Sequence, residues 1–269
     1  CAPRAGGLSR TGKAADMQRS GRGGAMDQLE TASGRRLAHA RTTGAGPGVV
    51  FLGGFRSDMT GTKALFLEGW AQARGRAFLR FDYGGHGASS GDFDRLGIGD
   101  WRDDALSVLD ALTEGPQVLV GSSMGGWIAL LAALARPGRV AGLVLIAPAP
   151  DFTEDLIRPT LTPGQAAALA AGGHVDRPSA YAPEPYRYTA ALMDQGRAHL
   201  VLRTPLPLPV PVRILQGTAD ADVPLAHALR LLDHASGSDI RLTLVKDADH
   251  RFSSPACLAM IAAAVEDVA

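Results

Sequence analysis

From Gly48 onward the chain alternates short apolar runs with amphipathic ones, and that alternation narrows the fold more than any other feature. Apolar runs occur at GVVFLGGF (48–55), AFLRFDY (77–83), QVLVGSS (117–123), VAGLVLIAPAP (140–150), VRILQGTAD (212–220) and IRLTLVKDADH (240–250). Between them lie helical patterns. In GTKALFLEGWAQARG (61–75) the spacing puts Leu65, Trp70 and Ala73 near one face. In IGDWRDDALSVLDAL (98–112) it aligns Trp101, Ala105, Leu109 and Leu112. Strands that are apolar on both faces and separated by helices predict an α/β fold, with a mostly parallel central sheet covered by helices on both sides. The rhythm breaks over 151–206, where Pro159, Pro163, Pro178, Pro183 and Pro185 cluster around two modest helical stretches near 165–171 and 188–200. This segment reads as a small inserted cap. It closes on PLPLPVPV, whose alternating prolines suit a stiff connector and exclude a central strand.

The charge balance excludes some functions. Twenty-seven basic residues offset twenty-seven acidic ones, so no global field draws the chain to nucleic acid or anionic lipid. No apolar run reaches the roughly 20 residues that span a bilayer. Cys1 and Cys257 are the only cysteines, which argues against a disulfide framework or a cysteine metal site and makes a cytoplasmic location the expectation. Residues 1–25, CAPRAGGLSRTGKAADMQRSGRGGA, are rich in Gly and Arg and poor in acids. They read as a disordered leader or a non-native extension ahead of Met26; as a genuine leader they would make the protein organelle-targeted or exported instead. The G-x-x-x-x-G-K match from Gly7 to Lys13 continues with Ala14 and follows no strand, so it is not a phosphate loop. The remaining 26–269 form one domain with the inserted cap.

The run 118–127, VLVGSSMGGW, ends a strand in a hydroxyl held between glycines. Gly121-Ser122-Ser123-Met124-Gly125 is G-x-S-x-G, with a strand before it and a helix after. That context makes Ser123 a candidate nucleophile on a strained strand-to-helix turn; Ser122 would leave the glycine spacing off by one. A serine needs a base. Of seven histidines, His250 follows the end of a strand, at the sheet edge where Ser123 also lies. His39 and His86 read as structural, His174 and His199 fall in the cap, and His227 and His234 sit on an amphipathic helix, where exposure is the default. Asp220, just past the preceding strand, is the candidate acid, with Asp222 nearby as the expected cap of the next helix. Backbone amides of Phe55, after Gly53-Gly54, and of Met124 would form an oxyanion hole. The chemistry implies no metal and no cofactor.

These residues resemble the α/β-hydrolase family from about Arg35 to the C-terminus, through FLGGF, RFDYGGHGASSG, GSSMGG, QGTADADVP and DADHRF. The likeness is greatest to the branch that contains the mitochondrial palmitoyl-protein thioesterase, which also cleaves acyl glucuronides. It implies the α/β-hydrolase fold, a structural Asp82, and a serine esterase or thioesterase in which Ser123, Asp220 and His250 form the triad. Two positions depart from the family pattern: Gly53 and Gln216 stand where many members have His. The expected substrate is a small-molecule or acylated ester or thioester, with Tyr181, Tyr186 and Tyr188 lining an apolar acyl pocket. An acyltransferase using the same triad, or a ligand-binding protein with little turnover, are the other functions these residues allow.

Overall fold

The computed structural model describes residues 26–179 and 183–269. The reading of residues 1–25, and that of Tyr181, lie outside the described residues.

Eight strands form the main sheet: β1 (Asp27–Glu30), β2 (Arg36–Thr42), β3 (Ala45–Leu52), β4 (Arg76–Phe81), β5 (Gln117–Ser122), β6 (Val140–Ile146), and, after the cap strands β7 (His174–Arg177) and β8 (Tyr186–Thr189) and a two-residue strand β9 (Leu206–Pro207), β10 (Val212–Gly217). The short β11 (Ala235–Ser236) pairs with β9, and β12 (Ile240–Val245) completes the sheet. The order across it is β1-β2-β4-β3-β5-β6-β10-β12. From β4 to β12 every pairing is parallel, whereas β2 runs antiparallel to both β1 and β4.

Side chains along the strands alternate between two cores. Leu119, Leu143 and Leu145 face one side, against Trp101 and Leu109 of α2 (Ile98–Leu112) and Trp127 of α3 (Met124–Ala135). Val118, Val120 and Val144 face the other side, against α1 (Thr62–Ala73) and α7 (Pro255–Val268). Burial on both faces explains why these strands read as continuous apolar runs. Helix α3 is apolar nearly all round because it packs between sheet, α2 and cap; ten of its residues are buried. The expected face of α1 is wrong in one respect. Ala64, Leu67, Trp70 and Ala71 are buried, while Leu65 is 45% exposed and Ala73 is exposed. The 3.6-residue period fits either stripe, and the sheet selects the one bearing the small alanines.

The cap lies between β6 and β10. It holds a π-helical turn (Thr153–Ile157), α4 (Pro163–Ala170), the β7–β8 hairpin and α5 (Ala190–Ala198). Its two ends are fastened together. Asp151, whose side chain is fully buried, accepts from the amides of Val201 and Leu202 at 2.8 and 3.0 Å and from Arg203 at 2.6 Å. Asp155 pairs with Arg203 and, at 2.7 Å, with Arg230 of α6 (Leu225–His234).

Candidate active site

The β5–α3 turn places Ser123 at φ 55°, ψ −118°, backbone angles that side-chain-bearing residues rarely adopt. The flanking glycines are there for space. A Cβ on Gly121 would lie 2.3 Å from the Gly125 carbonyl oxygen, and one on Gly125 would lie 2.1 Å from that of Leu52. The G-x-S-x-G spacing is thus the condition under which strand, turn and helix can close on one another.

Parallel strands carry the other groups to the same edge. His250 follows β12 and Asp220 follows β10. The Ser123 Oγ lies 3.1 Å from His250 Nε2, and His250 Nδ1 lies 2.9 Å from Asp220 Oδ2. The structure therefore brings together Ser123, His250 and Asp220; Ser122 is buried in the strand end instead. With the Asp220 side chain fully buried, burial alone would raise its pKa. The hydrogen bond and charge of His250 and the Val223 and Asp222 amides outweigh burial and hold the carboxyl below its ordinary value. The amides of Asp222 and Val223 donate to Asp220 Oδ1 at 2.9 and 2.8 Å. Asp222 is not the cap of α6, contrary to expectation: the helix starts at Leu225, preceded by Pro224 with no side-chain cap. Asp222 instead lines the cavity. Among the described residues, the donor atoms of Asp220, Asp222 and His250 form one trio within 4.8 Å, with both His250 nitrogens engaged as above.

Sequence reasoning noted Gln216 only as a departure. Fully buried, it donates from Nε2 to Asp220 Oδ2 at 3.0 Å and to the Val223 carbonyl at 3.1 Å, bracing the acid. No sequence signal marked it as a brace, because its partners Asp220 and Val223 reach it only when the loop after β10 folds back. Lys63 was also missed: it donates to the Arg251 carbonyl at 2.5 Å, and burial with the nearby Arg251 charge pushes its pKa down to about 8. The expected exposure of His227 does not hold. It is 6% exposed, and its Nε2 lies 2.7 Å from the Pro150 carbonyl; the cap entry covers it.

After β3 the chain turns at Gly53-Gly54, and Gly54 lies beside Ser123, where an added Cβ would be in ordinary contact with the Ser123 Cβ at 3.5 Å. Among the described residues, neither the Phe55 nor the Met124 amide donates to a backbone acceptor in a turn or loop. Ser123 opens into a cavity of about 600 Å³. Phe55, Phe152, Leu156, Ile157, Tyr186 and Tyr188 form its apolar wall. Phe55 stacks on Tyr188 at 5.6 Å between centroids and meets Phe152 and Tyr186 edge-on.

The chain is similar to known proteins over most of its length. Residues 48–177 match the serine aminopeptidase S33 family of hydrolases. The mitochondrial palmitoyl-protein thioesterase ABHD10 of Bos taurus is 37% identical over 235 residues, spanning 86% of this chain and 76% of its own. The chain belongs to the α/β-hydrolase family. Among solved members, a hydrolase from Agrobacterium vitis S4 superposes with TM-score 0.87 at 44% identity, covering 92% of this chain and 99% of that one. The mouse α/β-hydrolase domain-containing protein 10 gives 0.83 at 35%, covering 90% and 97%. As an α/β-hydrolase of this branch, the protein is a serine hydrolase acting on esters or thioesters. The cytoplasmic expectation is overturned, since the mammalian relatives are named as mitochondrial proteins. Two cysteines argue only against an oxidising, disulfide-forming compartment and do not choose among the others. Among the described residues no helix is long and apolar enough to cross a membrane.

Proposed function

We propose that Ser123, His250 and Asp220 are the catalytic triad of an acyl-thioester hydrolase, with the Phe55 and Met124 amides as its oxyanion hole. The observation that carries this reading is the unbroken relay from Ser123 Oγ through His250 to Asp220, at 3.1 and 2.9 Å, facing an apolar cavity. Ser123 Oγ attacks the acyl carbonyl while His250 Nε2 takes its proton. Asp220 accepts from Nδ1–H, which fixes the tautomer and stabilises the imidazolium. Negative charge on the tetrahedral oxygen is met by the two amides and the N-terminus of α3. His250 returns the proton to the leaving thiol, and water repeats the sequence to release the acid.

The thioester preference draws support from the likeness to a palmitoyl-protein thioesterase. The cavity volume lies within the roughly 300–1,000 Å³ of ligand pockets, and its aromatic wall suits an acyl chain. The test compares hydrolysis of a palmitoyl thioester and the matching oxygen ester by the wild type and Ser123→Ala. The thioester should turn over faster, and the variant should lose about three orders of magnitude or more on both. Full activity in Ser123→Ala would exclude the triad; equal rates on both substrates would exclude the thioester preference.

A further inference from the structure

His86 lies outside the relay, in the turn that follows β4, and has no part in the chemistry described above. It is 3% exposed, packed edge-on against Tyr83, Phe93 and Trp101. Its Nε2 accepts from the backbone amide of Arg56 at 3.3 Å, and its Nδ1 lies 3.3 Å from the Gly84 carbonyl oxygen. These partners require one tautomer: Nδ1–H donates to Gly84 and Nε2 keeps its lone pair for Arg56.

The contact falls on a strained point of the loop that carries the Phe55 amide. The Ser57 amide donates to the Gly54 carbonyl at 3.2 Å, which closes a four-residue turn with Phe55 and Arg56 in its central positions. Arg56 has φ 55° and Phe55 is not in the positive-φ region, so this is a type II turn. Such turns ordinarily place Gly or Asn where Arg56 stands. Flipping the Phe55–Arg56 peptide would convert it to the type I form, which Arg tolerates without strain. In that form the Arg56 amide would turn away from its acceptor. The same post-β4 segment holds the loop at a second point, where Asp82 Oδ1 accepts from the Met59 amide at 2.6 Å.

We infer that His86 is a positioning residue for the oxyanion hole: by accepting the Arg56 amide it holds the Gly54–Ser57 turn in its strained form and anchors Phe55, the carrier of the oxyanion-hole N–H, from its C-terminal side. The inference rests on the proposed role of Phe55. Burial, together with the Arg56 charge, holds the His86 pKa down to about 4. The acceptor nitrogen therefore stays unprotonated through the neutral range.

The experiment uses His86→Phe, which keeps an aromatic ring among Phe93 and Trp101 and removes the acceptor. His86→Gln restores an acceptor near Nε2. His86→Leu serves in place of His86→Phe if that variant does not fold. Three quantities are read: kcat and KM on a palmitoyl thioester, the inhibition constant of an alkyl trifluoromethyl ketone whose adduct carries an oxyanion, and the melting temperature. The expected result is a fall in kcat of about tenfold to hundredfold in His86→Phe. Ketone affinity should weaken in parallel, KM should stay near wild type, and His86→Gln should recover most of both losses. Wild-type kcat and ketone affinity in a folded His86→Phe would overturn the inference, as would a His86→Gln variant of unchanged melting temperature that is as impaired as His86→Phe. Failure of the underlying site would look different: the wild type would resist the ketone, and Ser123→Ala would remain active.

Discussion

At the level of single residues, the site depends on positions whose neighbours leave them little choice. Ser123 holds a left-handed backbone angle only because Gly121 and Gly125 let the strand and helix close around it. Asp220 remains a buried carboxylate because four donors face it: His250, Gln216 and the amides of Asp222 and Val223. Gln216 is the member of this set that does not line the cavity. Its replacement by leucine keeps the volume and removes the donor to Asp220 Oδ2, so Asp220 can rotate about its remaining bonds. We expect Gln216→Leu to lower kcat about tenfold with KM little changed, as read from steady-state kinetics on a thioester. A wild-type kcat would mean that the two amides alone orient the acid. Ser123, Asp220 and His250, the proposed triad, were legible in the sequence because each follows a recognisable strand end. Gln216 was not legible as a brace, because a glutamine at a strand end announces no partner until the next loop folds back over it.

Elements set the second scale, and here the cap is the informative part. Its attachment runs through Asp151 and Asp155 on one side and Arg203 and Arg230 on the other, the last borne by α6 of the main domain. Asp155 is pulled two ways. Burial raises its pKa, but the hydrogen bond and charge of Arg203 and the charge of Arg230 prevail, and the folded value lies below the ordinary one. A carboxyl depressed on folding adds stability above its unfolded pKa of about 3.9 and loses that contribution as pH falls through the folded value. Both arginines are more than a third exposed, so solvent screens the pair and the contribution is modest, about 1 kcal/mol. Asp155→Asn should therefore melt a few degrees below wild type at pH 7, with the gap closing as the buffer is taken below about pH 4. A gap that persists unchanged at acid pH would show that the loss is one of packing and not of charge. The main strands and helices were legible because burial on two faces imposes long apolar runs. The β7–β8 hairpin was not, since HVDR and YRYT are four-residue strands with no apolar run. The buried stripe of α1 and the burial of His227 were missed for a related reason: periodicity identifies an amphipathic helix without saying which neighbour will cover it.

Across the whole molecule, residues 55, 123, 220 and 250 converge because β3, β5, β10 and β12 run parallel and end at one edge of the sheet. The cap then roofs that edge, and Phe55 joins the two parts: it follows Gly54, which lies beside Ser123, and its ring stacks on Tyr188 of the cap. An acyl chain lying against Phe152 and Tyr188 would therefore touch the same residue whose amide is proposed to receive the oxyanion. The topology explains why the site could be assembled from motif order alone, while the distances that make it a relay could not.

Activation of Ser123 by His250 can be read by covalent labelling. The protein is treated with a fluorophosphonate, digested, and the modified residue located by mass spectrometry, in parallel with His250→Ala. The expected result is a single adduct on Ser123 in the wild type and labelling slowed by orders of magnitude in His250→Ala. An adduct on another residue, no adduct on the folded protein, or equal labelling of both proteins would contradict it.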